Sequence, residues 1–143
     1  MSETIHATTI AIGGRAVLIF GRSGAGKSDL ALRLIDRGAR LVSDDYTLVS
    51  AQDGTLVTAP PATIAGKMEL RGVGIIELAH ERDVSAALIV DLDQDPDRLP
   101  EPGTRDIAGI AIPVITLHGL EPSAPIKVEK ALLLHGLGST CQP

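Results

Sequence analysis

The sequence predicts an α/β fold: a P-loop domain with a mixed sheet and few helices. Three observations predict it. The apolar stretch "RAVLIF" runs directly into the glycine-rich "GRSGAGKS" and then into residues at helical spacing. Short β-type segments dominate the rest of the chain, and one further helical segment closes it. Glycine-glycine and aspartate-glycine turn signals separate several β segments, so antiparallel hairpins must flank the strand-loop-helix unit.

Taken in order, residues 5–12, "IHATTIAI", alternate loosely and predict a first strand carrying His6. Gly13 and Gly14 turn it into "RAVLIF", a buried strand. From Lys27 the residues Leu30, Ala31, Leu34 and Ile35 recur at helical spacing, and Gly38 supplies a stop. "ARLVSDDYTLVSAQDGTLVTAPP" reads as a strand ending in two aspartates, then a hairpin about Asp53 and Gly54, ended by prolines. "MELRGVGIIEL" suits a loop entering a strand, or a bent strand, better than a helix. "AALIVDLD" has the character of a buried strand, "QDPDRLPEPGTRDIAG" that of a surface loop, and "IAIPVITL" of another strand. "APIKVEKALLLHG" is a closing helix that begins at a permitted proline.

At 143 residues the chain suits a single domain, residues 1–143, with one site and with 137–143 as a flexible tail. A formal charge of -5, from 13 basic and 18 acidic residues, excludes a broad electrostatic grip on nucleic acid or an anionic membrane. One Tyr and one Phe leave no platform for stacking single-stranded bases. Cys141 is the sole cysteine, so no intrachain disulfide and no CxxC zinc site is expected, in keeping with a reducing cytosol. The opening "MSETIHATTI" lacks the pattern of a signal peptide, and no apolar run reaches membrane-spanning length, so a soluble, cytoplasmic protein is expected.

The chemistry centres on Gly21, Gly26, Lys27 and Ser28, which match G-x-x-x-x-G-K-[ST], with Arg22, Ser23, Gly24 and Ala25 filling the loop. Glycines let backbone N–H groups converge on phosphate oxygens, and the helix start adds a favourable dipole. Lys27 is expected to reach the terminal phosphates and Ser28 to ligate magnesium. Asp44 and Asp45 end the next strand, where a carboxylate can meet magnesium or an incoming hydroxyl. Adjacent strand residues point to opposite sides, so one of the two should face the site. Glu69 and Arg71, two apart on an extended backbone, face the same way and offer either a metal or phosphate ligand beside a positive charge, or a surface ion pair. His6, on the first strand, reads by default as a half-buried strand histidine hydrogen-bonded to backbone; His80, His118 and His135 show no metal-site spacing and read as structural.

The order His6, "GRSGAGKSDLALRLIDRGARLVSDD" and "MELRGVGII" resembles the catalytic domain of the bacterial HPr kinase/phosphorylase family. The resemblance is strongest over residues 5–120, extends weakly through "DRLPE" and "GIAIPVITL", and looks like the shortened α-proteobacterial form without the usual N-terminal domain. It implies a fold related to phosphoenolpyruvate carboxykinases and an ATP- and Mg2+-dependent serine kinase. The implied partner is the phosphocarrier HPr or a nitrogen-branch relative, with reversal by inorganic phosphate in many members and a hexameric assembly. Position by position, it makes Lys27 and Ser28 nucleotide and magnesium residues, Asp45 the catalytic base, Glu69 a second magnesium ligand and His6 an active-site residue. Arg71, Gly72 and Gly74 match the family's second signature. One segment departs from the family: where members carry a "PGRNL"-like loop with an active-site arginine, this chain reads "EPSAPIKV". Two other functions share the same cradle, a small-molecule kinase and a nucleotide-sensing module without efficient transfer.

Overall fold

In the computed structural model, residues 2–96 and 103–138 are described. "DRLPE" and Cys141 fall outside them. The elements run β1 (Ser2–Ile5), β2 (Thr8–Ile12), β3 (Arg15–Phe20), α1 (Lys27–Asp36), β4 (Arg40–Ser43), β5 (Thr47–Gln52) and β6 (Thr55–Ala59). They continue as β7 (Lys67–Leu70), β8 (Gly74–Glu77), β9 (Val84–Asp91), β10 (Gly103–Ile107), β11 (Ile110–Thr116) and α2 (Ala124–His135). Among the described residues no helix is long and apolar enough to cross a membrane.

Nine strands form one sheet along the path β1-β5-β6-β9-β3-β2-β4, with β11 also paired to β9 and β10 outside it. β3, β9 and β11 are parallel neighbours, whereas β2 runs antiparallel to both β3 and β4. The sheet is therefore mixed, as expected. This topology brings the C-terminal ends of β3, β4, β9 and β11, and the start of β2, to the same edge. Crevices outside strand carboxyl ends are where α/β sheets bind ligands.

Strand alternation divides the interior into two layers. Val17 and Ile19 join Leu30, Leu34, Val128 and Leu132 beneath the two helices, while Ala16 and Leu18 face Val42, Val49, Leu56 and Ile112 on the other side. Among the described residues no helix covers that second layer; the sheet curls so that β4 approaches β6 across it. Each fully buried Leu or Ile contributes about 1.5–3 kcal/mol, so an almost purely aliphatic core suffices. At a bulge in the β3–β9 pairing Ala87 has no partner residue, and its carbonyl instead accepts the Leu137 N–H at 2.9 Å. Arg15 also donates to the Leu137 carbonyl, so Leu137 is fastened to the sheet.

Several segments differ from the sequence reading. The expected strand over 5–12 is split, because β1 pairs with β5 while β2 pairs with β3, and His6 lies in the bend between them rather than on a strand. "GTRDI" is strand β10, not loop: Ala108 (φ 54) and Gly109 (φ 84) both adopt the left-handed region and close a tight hairpin with β11. "MELRGVGIIEL" is likewise a hairpin, β7–β8, packed on α1 through Met68.

Candidate active site

The phosphate loop joins β3 to α1 and is shaped by close approaches. A Cβ on Gly21 would lie 3.0 Å from the Ala25 Cβ, and Gly26 (φ 98) caps α1 in the left-handed conformation. The Ala25 N–H turns back to the Arg22 carbonyl at 3.0 Å. Lys27 is buried, and its Nζ donates to the carbonyl oxygens of Gly21 at 2.6 Å and Arg22 at 3.4 Å. Among the described residues no carboxylate pairs with it. A buried ammonium held only by carbonyl dipoles has charge to spare for a phosphate oxygen.

On the β4 side, Ser28 Oγ donates to Asp44 Oδ1 at 2.7 Å. Thr8 Oγ1, fully buried at the start of β2, donates to the same Asp44 oxygen at 3.2 Å and accepts the Asp45 N–H at 3.1 Å. Asp44 is buried; Asp45 is exposed and turned by a positive φ of 68. Its Oδ1 lies 2.9 Å from His6 Nε2, and the His6 ring stacks on Tyr46 with centroids 5.0 Å apart. The two aspartates sit just past β4 rather than on it, yet they do point to different partners, Asp44 to the loop serine and Asp45 to His6. His6 is thus an exposed partner of a carboxylate, not the half-buried strand histidine that spacing alone suggested. A web of hydroxyls fixes this corner: Thr9 and Thr47 bond at 2.9 Å, Thr47 donates to the Ala7 carbonyl at 2.8 Å, and Ser43 donates to the Tyr46 carbonyl.

Glu69 and Arg71 do not join this cluster. Met68 and Leu70 turn toward the helical layer, leaving Glu69 exposed on the other face of β7. Arg71 lies beyond the strand, in a turn closed by the Val73 N–H to the Leu70 carbonyl at 2.9 Å, so the shared extended face expected for the pair is broken. Among the described residues neither side chain has a hydrogen bond or ion pair. The Arg22 side chain is also unpaired and exposed; its backbone N–H donates to Asp93 Oδ1 at 2.9 Å.

Five contributors escaped the sequence reading. Thr8 was one of many threonines. Asp91 and Asp93, ending the buried strand beside β3, were signalled by "LIVDLD"; Asp91 is buried and accepts Arg105 at 2.9 Å and the Asp93 N–H at 2.8 Å. Arg105, whose guanidinium also lies 5.0 Å from the Phe20 ring centroid, stands in the segment read as loop. Arg33 pairs with Asp29 one turn back on α1 and donates to the carbonyls of Glu121 (2.8 Å) and Gly119, pinning the 118–121 loop against the phosphate loop. Between α1 and α2, the Arg37–Glu129 pair, hydrogen-bonded at 2.8 and 2.9 Å, holds the Glu129 carboxyl below its ordinary range and raises Arg37.

Comparison with known proteins shows the family and the fold. The family model for the HPr serine kinase C-terminal domain matches residues 1–118. The chain belongs to that family. It is 37% identical over 155 residues to the HPr kinase/phosphorylase of Clostridium tetani, covering 97% of this chain and 51% of that protein. Against the Limosilactobacillus reuteri HPr kinase/phosphorylase it is 36% identical over 146 residues, 92% of this chain and 43% of the other. The chain therefore spans about half, or less, of these curated relatives. A solved structure, the Hpr(Ser) kinase/phosphatase from Coxiella burnetii, superposes with a TM-score of 0.80 at 29% identity, covering 93% of this chain and 95% of that one. Both the predicted fold and the resemblance to the HPr kinase family are thereby shown. The segment "EPSAPIKV" spans the turn into α2 and the first residues of that helix, and its Lys127 is paired with Glu121 at 3.1 Å.

Proposed function

We propose that this domain is an ATP- and Mg2+-dependent protein serine kinase acting on an HPr-type phosphocarrier or its nitrogen-branch relative. The observation that supports it best is the placement of Asp44 on the Ser28 hydroxyl with Asp45 and His6 immediately beside it. Ser28 and Asp44 supply the hard oxygen donors that Mg2+ takes, whereas Glu69, the second ligand the resemblance implies, stands outside their cluster. A Mg2+ ion held there would offset the negative charge that develops during transfer.

In this reading Lys27 gives up its carbonyl partners to hold the terminal phosphates, and the N–H groups of the loop bind the remaining oxygens. Asp45 accepts the proton of the attacking seryl hydroxyl, while His6 orients that carboxylate and Arg71 acts with the signature segment that serves both directions of the reaction. The turn before α2 has no arginine and Lys127 is engaged with Glu121, so that segment offers no planar fork to a transferring phosphoryl group in either direction of the reaction.

The test is incubation with γ-labelled ATP, Mg2+ and the HPr-type carriers of the same genome, comparing the unaltered chain with Lys27→Ala and Asp45→Asn. Carrier labelling should be lost in both variants. Labelling of a metabolite but no carrier would point to a small-molecule kinase, and ATP binding without any transfer to a sensing module.

A further inference from the structure

The order of strands along the sheet edge decides which way an extended ligand lies across the phosphate loop. His6, Asp44 and Asp45, from the start of β2 and the end of β4, flank the end of β3 on one side; Leu92 and the 118–120 segment, following β9 and β11, flank it on the other. A nucleotide whose terminal phosphate faces the carboxylates must carry its nucleoside toward the second side. There the structure has an open cavity of about 280 Å³, lined by residues 22–25 and by Leu92, His118, Gly119 and Leu120.

We propose that this cavity receives the base of the phosphate donor, with Leu92 and Leu120 as its apolar walls and the His118 imidazole as a ring and hydrogen-bond partner. The inference rests on the reading that the loop binds ATP. Sites for whole drug-sized ligands run to about 300–1,000 Å³, so this volume suits one moiety of a larger ligand. Leu120 is 65% exposed although it lies against the loop, so that a Cβ on Gly26 would meet its Cδ2 at 2.8 Å. A flat base would cover that apolar surface. Gly119 permits the approach, because a Cβ there would lie 2.7 Å from Leu92 Cδ1 and 3.1 Å from the Ala25 carbonyl oxygen. Arg33 holds the segment through the carbonyls of Gly119 and Glu121, so the wall is preorganised rather than assembled on binding.

Calorimetric titration of the full chain with ATP and with inorganic tripolyphosphate, both with Mg2+, tests the assignment. ATP should bind more tightly than tripolyphosphate. Leu120→Ser and His118→Ala, both at exposed positions, should each weaken ATP about 10-fold, the order of a lost pocket contact, and leave tripolyphosphate within about twofold. Equal affinities for the two ligands in the unaltered chain, or equal losses in the variants, would overturn the base subsite while the phosphate cradle stands. Failure of both ligands to bind would bring down the cradle reading as well. Photolabelling with an azidoadenine analogue of ATP gives a check free of any variant: label should map to the peptides containing Leu92 or His118–Leu120, and label on His6 or the Asp44–Tyr46 segment would refute the proposal.

Discussion

Replacing Thr8 by Val isolates the hydroxyl that ties the aspartate corner together. Thr8 Oγ1 is fully buried and serves two groups, donating to Asp44 at 3.2 Å and accepting from the Asp45 N–H at 3.1 Å. The methyl of Val fills the same space but does neither, so one hydrogen bond to a carboxylate and one to a backbone N–H disappear together. A bond to a charged group is worth about 1.5–3 kcal/mol, and water entering from the exposed Asp45 side recovers part of the loss, which places the expected cost near 2 kcal/mol. For a domain of this size that is a fall in Tm of roughly 4–8 °C. Urea unfolding should show a lower midpoint with an unchanged slope. Thr8→Ser keeps the hydroxyl and should recover most of the carrier phosphorylation that Thr8→Val loses. If Thr8→Val unfolds within about 0.5 kcal/mol of the unaltered chain and phosphorylates normally, the aspartates are not positioned through Thr8, and the reasoning fails.

Other perturbations separate the remaining contributions. Gly26→Ala forces a side chain into φ 98, costing about 1–2 kcal/mol of backbone strain, and should weaken ATP binding more than it lowers Tm, since Leu120 can swing aside. Arg33→Ala frees the 118–121 loop; amide hydrogen exchange at Gly119–Glu121 should accelerate while exchange in β3 and β9 stays slow. The Arg37–Glu129 pair predicts a pH signature. Because the folded carboxyl titrates below its unfolded value, the pair's contribution is complete above the ordinary Glu pKa of about 4.3 and is lost as pH falls through the lower folded value. The Tm gap between the unaltered chain and Arg37→Ala should therefore be present at neutral pH and close in acid; a gap independent of pH would show that the guanidinium acts through packing alone.

Local pattern was enough wherever a residue's role depends on its sequence neighbours. Gly26, Lys27 and Ser28 must follow one another to open a helix on a phosphate, and the paired glycines at 13 and 14 must close a hairpin, so both were legible. Where a role depends on a partner far along the chain, the pattern was silent. "TRDI" carries charge on alternate residues and looks like loop until β11 supplies its hydrogen bonds, and only that pairing brings Arg105 to Asp91. His6 read as an ordinary strand residue because nothing nearby marks the split between β1 and β2 that turns it toward Asp45.

What the sequence determined by itself was the loop pattern and the supply of carboxylates: a glycine-rich loop matching G-x-x-x-x-G-K-[ST], two aspartates after it, and a motif order that resembles one family. The tertiary structure decided how these are shared out. Pairing of β4 against β2, and of β2 against β3, places Asp44 on Ser28 and leaves Asp45 with His6, while β9 and β11 close the opposite side of the loop with Leu92 and Leu120. The physical reason is that strand pairing is a long-range choice made by burial and hydrogen bonding over the whole sheet. Short-range spacing records which groups the chain carries, but only the completed sheet sets the distances between them.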